Sequence, residues 1–119
     1  MESWLLVYLD KTSMQFVTSK NILNIKLTFW EKLWSFHGDF KINKKNIVSI
    51  KRANPDWYEN QIRFPGTFLP GVIKAGSYWK YKYGWEFWYV LKSHKIVYIV
   101  TLENNRYKRL VLSARKKLI

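Results

Sequence analysis

Catalysis needs titratable, nucleophilic or metal-ligating side chains held together, and this chain offers few that the sequence brings close. Its only histidines are His37 and His94, both in stretches that read as exposed turns. Neither falls in an H-x-x-H or H-E-x-x-H pattern. Cysteine is absent, which removes thiolate zinc sites, thiol nucleophiles and disulfide scaffolds together. The carboxylates Glu2, Asp10, Glu31, Asp39, Asp56, Glu59, Glu86 and Glu103 are scattered. General acid–base work uses two such groups in different environments, or one with a partner histidine. His37 with Asp39 is the only close pair, and it flanks Gly38 in a turn, where Asp commonly serves as a turn former. Asp56 and Glu59 fall in a surface loop. There is no Ser-His-Asp logic, no G-x-S-x-G elbow and no Walker-type glycine loop. The chain therefore reads as a non-catalytic protein, with no cofactor and no metal.

What the residues do suggest is binding. The net charge is +13, from 21 basic and 8 acidic side chains. A field of that size favours polyanions: an anionic membrane surface, nucleic acid or an acidic protein. The simpler reading is a lysine-rich solvent face. The basic residues form three groups along the chain: Lys41, Lys44, Lys45, Lys51 and Arg52; Lys74, Lys80 and Lys82; and Arg106, Lys108, Arg109, Arg115, Lys116 and Lys117. From these and from Arg63 the candidate anion-binding residues are Lys44, Lys45, Arg63, Lys74, Lys80, Lys82, Arg106, Lys108 and Arg109. Two segments stand out. Arg63 to Tyr78 holds the pairs Pro65-Gly66 and Pro70-Gly71, which favour two turns. A rigid connection is one reading, and a preorganised loop presenting Arg63, Thr67 and Lys74 to an anion is the other. In Trp79-Lys80-Tyr81-Lys82-Tyr83, aromatic and basic residues interleave, as on a nucleic-acid stacking platform. In a strand the two types point to opposite faces, so inward aromatics would leave only lysines outside.

The elements that must position these groups are mostly strands. Aromatics make up 18% of the chain, and Tyr and Trp suit pleated, half-buried surfaces. Leu5 to Leu9, Met14 to Thr18 and Ile22 to Phe29 are strand-like, the last with Ile25, Leu27 and Phe29 sharing one face. Trp30, Leu33 and Trp34 fit a helical turn before His37-Gly38-Asp39 breaks it. Phe40 to Ile42 and Ile47 to Lys51 are again strands, separated by a turn from Asn43 to Asn46. All the prolines, and every glycine except Gly38, lie between Asn54 and Gly84, giving a loop-rich middle. Beyond it Ser77 to Tyr83, Trp85 to Leu91, Lys95 to Leu102 and Arg106 to Ser113 follow at short spacing, as in an antiparallel meander. Trp85, Phe87, Tyr89 and Leu91 form one face, with Glu86, Trp88 and Val90 opposite. The tail from Ala114 to Ile119 is basic.

These stretches carry a resemblance. Arg63-x-Pro65-Gly66-Thr67-x-x-Pro70-Gly71, Gly76, Gly84-x-Glu86-Phe87-x-x-Val90 and Tyr107-x-Arg109-x-Val111-x-Ser113 resemble the bacterial pleckstrin-homology-like domain family. So do Leu27-x-x-x-Glu31-Lys32-Leu33, His37-Gly38-Asp39 and Ile47-x-Ser49-Ile50 upstream, the similarity spanning residues 14 to 113. The resemblance implies a mainly β, PH-like split barrel of about seven antiparallel strands in two nearly orthogonal sheets. The C-terminal helix that closes such barrels would be short or missing here. The OB-fold is the alternative small basic barrel. One domain over residues 1 to 119 is expected, with residues 1 to 12 an extension whose run Trp4 to Leu9 adds a strand or covers the open end.

The expected function is a PH-like binding module for a protein partner or for anionic lipid headgroups. A nucleic-acid-binding barrel is the alternative, and self-association through a sheet edge a further partner class. The apolar stretch Trp4 to Leu9 is too short for a signal peptide, and nothing approaches the ~20 apolar residues of a membrane span. A cytoplasmic protein follows, peripheral at the inner face of the membrane if it binds lipid.

Overall fold

The computed structural model describes residues 14–55, 57 and 62–115, with residues 62–65 described through their backbone. The strand-like run Leu5 to Leu9, the extension to residue 12, the pair Asp56 and Glu59, and residues 116–119 of the tail lie outside the described residues.

Among the described residues nine strands form two sheets. The first is a three-stranded antiparallel meander of β1 (Gln15–Thr18), β2 (Ile22–Lys26) and β3 (Phe40–Asn43). Alternation sets its inner face: Leu23, Ile25, Phe40 and Ile42 are buried, while Lys26, Lys41 and Asn43 are exposed. A short helix, α1 (Phe29–Ser35), fills the β2–β3 connection. Thr28 caps it reciprocally with Glu31: the Glu31 amide donates to Thr28 Oγ1 (3.3 Å), and the Thr28 amide donates to Glu31 Oε1 (2.8 Å). Phe36, in the left-handed region at φ 55°, ends the helix. Asp39 accepts the Leu27 amide at 2.8 Å and lies 3.5 Å from the Lys32 ammonium, so it braces this corner.

The second sheet has six strands in the order β4 (Ile47–Arg52), β8 (Ile96–Leu102), β9 (Tyr107–Ala114), β7 (Gly84–Leu91), β6 (Ile73–Lys80) and β5 (Ile62–Leu69). Every pairing is antiparallel except β7 with β9, which is parallel. β9 therefore sits in the middle, bonded to β8 on one side and β7 on the other. The face carrying Phe87, Tyr89, Val100, Leu110 and Leu112 packs with Leu23, Ile25, Leu27, Phe40 and Ile42 into one core that joins the sheets. Burial of this apolar area is the main stabilising term. The opposite face buries Tyr78, Trp88, Val90, Val97 and Val111, with Trp57 and Ile99 packed against them. Being buried on both faces explains why β7 is apolar at nearly every position.

The expectation of a mainly β chain holds, and both faces of Trp85 to Leu91 lie as the alternation implies. Several finer expectations are overturned. The two sheets do not close into a barrel. The C-terminal half is not a pure antiparallel meander, because β9 returns beside β7 instead of stopping at β8. By contrast, the helical turn expected at Trp30, Leu33 and Trp34 is present, as α1 between β2 and β3. Phe29 leaves the β2 face and starts α1. Pro65-Gly66 is not a turn but part of β5, where a register shift between Phe64 and Gly66 leaves Pro65 unpaired on an edge strand that tolerates a missing donor. Only Pro70-Gly71 turns, with Gly71 at φ 77°.

Candidate functional site

The sheet topology sorts the candidate basic residues by strand end. At one end of the six-stranded sheet, Lys80 faces Gly84, Trp79 lies between Ile62 and Trp85, and Trp85 faces Tyr107. The same row continues to β4: the Glu103 amide donates to Asn46 O at 2.8 Å, and Ile47 faces Leu102. Lys44 and Lys45, Arg63, Lys80 and Lys82, and Arg106, Lys108 and Arg109 all belong to strand ends or turns at this one end. Three groups separated in sequence thus become one rim.

Within the rim Lys44, Lys45, Lys82, Arg106 and Lys108 are exposed, and Lys80 is half-buried. Three of the cations lie near aromatic rings. Lys80 Nζ is 4.9 Å from the Tyr83 ring centroid, Lys82 Nζ is 5.8 Å from that of Tyr81, and Arg106 Cζ is 5.5 Å from that of Trp85. Lys108 crosses Gly84, where a Cβ would come within 3.3 Å of its Cγ. Strand β6 stops at Lys80, so Tyr81 to Tyr83 form the β6–β7 turn, with Lys82 in left-handed geometry at φ 72°. Tyr81 and Tyr83 are 68 and 67% exposed. The interleaved aromatics do not turn inward as a continued strand would require. They stand on a hairpin tip, and the flat stacking platform is not built.

Two candidates are not free for a ligand. Arg109 meets Glu86 along one side of its guanidinium: Nη2 donates to Oε1 at 3.0 Å, and Nε lies 2.8 Å from Oε2 as an ion-pair contact. Trp88 Nε1 also donates to Glu86 Oε1, at 3.2 Å. Lys74 faces Phe68 and Val90, toward the far end of the strands, and is 1% exposed. Its ammonium lies 3.7 Å from the Trp88 ring centroid and 4.7 Å from that of Tyr78, and donates to Trp57 O at 3.1 Å. Thr67 donates its hydroxyl to Trp34 O at 3.0 Å. The loop reading of Arg63, Thr67 and Lys74 is therefore corrected: Arg63 and Thr67 lie in strand β5, facing Tyr78 and Ala75, and Lys74 lies in β6 with its side chain buried.

The histidines are not simple exposed turn residues. His37 stacks on Phe40 at 4.1 Å and 6°. His94 is buried, and its Nδ1 shares a 2.8 Å hydrogen bond with Ser113 Oγ, which also accepts the Leu91 amide at 3.0 Å. Burial, reinforced by Arg115, pushes the His94 imidazole below its ordinary pKa. An open cavity of about 380 Å³ beside it is lined by Trp57, Lys92 and Lys95. Ser113 is fully buried and occupied by these bonds, so the pair fastens the β7–β8 turn to β9. Burial also raises the Glu31 carboxyl against the hydrogen bonds it accepts, and burial with the Glu31 charge pushes the Tyr89 phenol well above its usual range. Among the described residues no three His, Asp or Glu side chains gather as a metal site would require.

Reading by residue type missed a second surface. Phe29, Trp30, Leu33, Trp34 and Phe36 are exposed around α1. The signal was present in Glu31 and Ser35, which share the helix face opposite Trp30 and Leu33 and are the two buried ones. Electrostatically the described surface is one-sided: Glu31 and Glu86 are buried, leaving Asp39 and Glu103 as its exposed carboxylates against exposed lysines and arginines on both sheets.

No protein-family model, curated protein or solved structure matches this chain, so the pleckstrin-homology-like resemblance rests on the sequence stretches alone.

Proposed function

We propose that this protein is a non-catalytic binding module that docks on an anionic membrane surface, taking a peripheral position there. The observation that carries the reading is the convergence of Lys44, Lys45, Lys82, Arg106 and Lys108 on one sheet end that also displays Tyr81 and Tyr83. A rim of turns reaches a surface, whereas nucleic-acid stacking favours a flat or concave face with aligned rings. Tyrosine suits the headgroup zone, with an apolar ring and a polar tip. Each lysine or arginine near an anionic leaflet contributes about 1 kcal/mol. Five such charges give an enrichment on the order of 10³-fold. No helix among the described residues is long and apolar enough to cross a membrane.

Vesicle flotation tests this. The chain should float with phosphatidylglycerol-containing vesicles, not with pure phosphatidylcholine, and the bound fraction should fall as salt rises from about 0.1 M and screening sets in. Reversing Lys82, Arg106 and Lys108 to Glu should abolish the low-salt binding while leaving the thermal unfolding midpoint in place. Capture of single-stranded RNA with no flotation would replace the reading with a nucleic-acid one. Flotation indifferent to the charge reversal would remove the rim from it.

A further inference from the structure

A short helix on a sheet normally turns its apolar stripe inward. α1 does the reverse. Phe29, Trp30, Leu33, Trp34 and Phe36 are 70, 63, 52, 42 and 62% exposed, while Glu31 and Ser35 are buried. The orientation is locked by polar bonds. Glu31 accepts the Thr28 amide through Oε1 and the Met14 amide through Oε2 at 3.1 Å. Ser35 donates to Glu31 O at 2.6 Å, and Trp34 O receives the Thr67 hydroxyl. Rolling the helix to hide its rings would bring the Glu31 carboxylate out and break the two bonds that tie the helix to the rest of the molecule, from the Met14 amide and from the Thr67 hydroxyl. An apolar patch held open in this way marks an interaction surface.

We infer that this face is a membrane anchor that inserts among the headgroups and upper acyl chains of an anionic bilayer. The inference rests on the docking role proposed for the rim and adds to it a hydrophobic component. Charge selects the occupant. The patch is flanked by exposed Lys26 and by Lys32, which shares its charge with Asp39 at 3.5 Å, on a chain of net charge +13 whose other exposed carboxylate among the described residues is Glu103. A second copy brings the same positive field and is repelled, whereas an anionic leaflet attracts it. The side chains match that site in kind: tryptophan favours the membrane interface, and Phe and Leu supply the buried area of interfacial helices.

The chain has no cysteine, so one introduced thiol carries a unique label. Leu33→Cys and, as a control in the β7–β8 turn at the opposite end of the large sheet from the rim, Ser93→Cys are each coupled to an environment-sensitive nitrobenzoxadiazole dye; both positions are exposed. With phosphatidylglycerol–phosphatidylcholine vesicles the Leu33 label should brighten, and lipids brominated in the acyl chain should quench it, while the Ser93 label stays unchanged. In the unlabelled chain, Trp30→Ser with Leu33→Ser should weaken vesicle affinity roughly 30-fold, mostly in the salt-resistant part, with the unfolding midpoint kept. Vesicle binding without a response at Leu33 overturns the anchor and leaves the rim reading intact. Absence of vesicle binding overturns the rim reading and the anchor with it. Brightening that grows with protein concentration in the absence of lipid assigns the face to a second copy and also overturns the anchor.

Discussion

Arg109→Met is the substitution whose cost the structure sets most directly. Glu86 is buried on the second face of the large sheet, its side chain 5% exposed, and Arg109 meets both its oxygens at 2.8 and 3.0 Å. Methionine keeps the stem and much of the volume but removes the charge, leaving a buried carboxylate without its bidentate counter-charge. Breaking one side of a buried pair costs 3–5 kcal/mol as a rule. Arg109 is 22% exposed, so water relieves part of that, and about 3 kcal/mol is expected. At roughly 4 °C per kcal/mol for a domain of this size, the midpoint should drop by about 12 °C. Replacing both partners, Glu86→Leu with Arg109→Met, removes the stranded charge. It should recover all but about 1 kcal/mol, the remainder reflecting the acceptor lost by Trp88 Nε1. The assay is urea unfolding followed by circular dichroism on the wild type, both single variants and the double variant. A loss under about 1 kcal/mol for Arg109→Met, or a double variant no better than the sum of the singles, would refute the claim that this pair is held by mutual compensation.

Two further outcomes follow from the same coordinates. Gly66→Ala should destabilise the chain by several kcal/mol and loosen β5 from β6, since a Cβ there would sit 2.3 Å from Ala75 O and 2.9 Å from the Gly76 Cα, both backbone atoms; a variant that melts like the parent would show that the bulge yields cheaply. His94 is held neutral by burial, so the unfolded chain binds its proton more readily and stability is full above about pH 6.5 and declines as pH falls below it. His94→Gln should flatten that slope between pH 7 and 5, which midpoint measurements across the range would reveal, and an unchanged slope would place the titration elsewhere.

Local pattern was enough to read most of the strands. The period of two through Trp85, Phe87, Tyr89 and Leu91 determines which rings enter the core, and the structure packs them there. The same rule failed at Tyr81 and Tyr83 because the strand ends at Lys80, and alternation carries no information past the last ladder bond. It failed at Lys74 for a different reason. Residue type implies solvent, but Trp88, Tyr78 and Phe68 make a cation-accepting site that only their convergence creates. The rim was legible as a list of basic residues but not as a place, since Lys44, Lys80 and Arg106 meet through pairings between strands distant in sequence. The spacing of Trp30, Leu33 and Trp34 indicated a helical turn but not which way its rings face. The bonds from the Met14 amide to Glu31 and from the Thr67 hydroxyl to Trp34 O decide that.

The position of β9 has a consequence for how the molecule comes together. Without it the large sheet is two separate fragments: the β5–β6–β7 meander, and the β4–β8 pair, which faces β7 across an empty lane. Tyr107 to Ala114 fill that lane, pairing antiparallel with the neighbouring β8 and parallel with the more distant β7. The step that joins the fragments is therefore the parallel β7–β9 pairing, which spans all of β8 and closes a longer loop than any neighbouring hairpin. Until it happens, the facing edges of β7 and β9 stay open to strands from other chains.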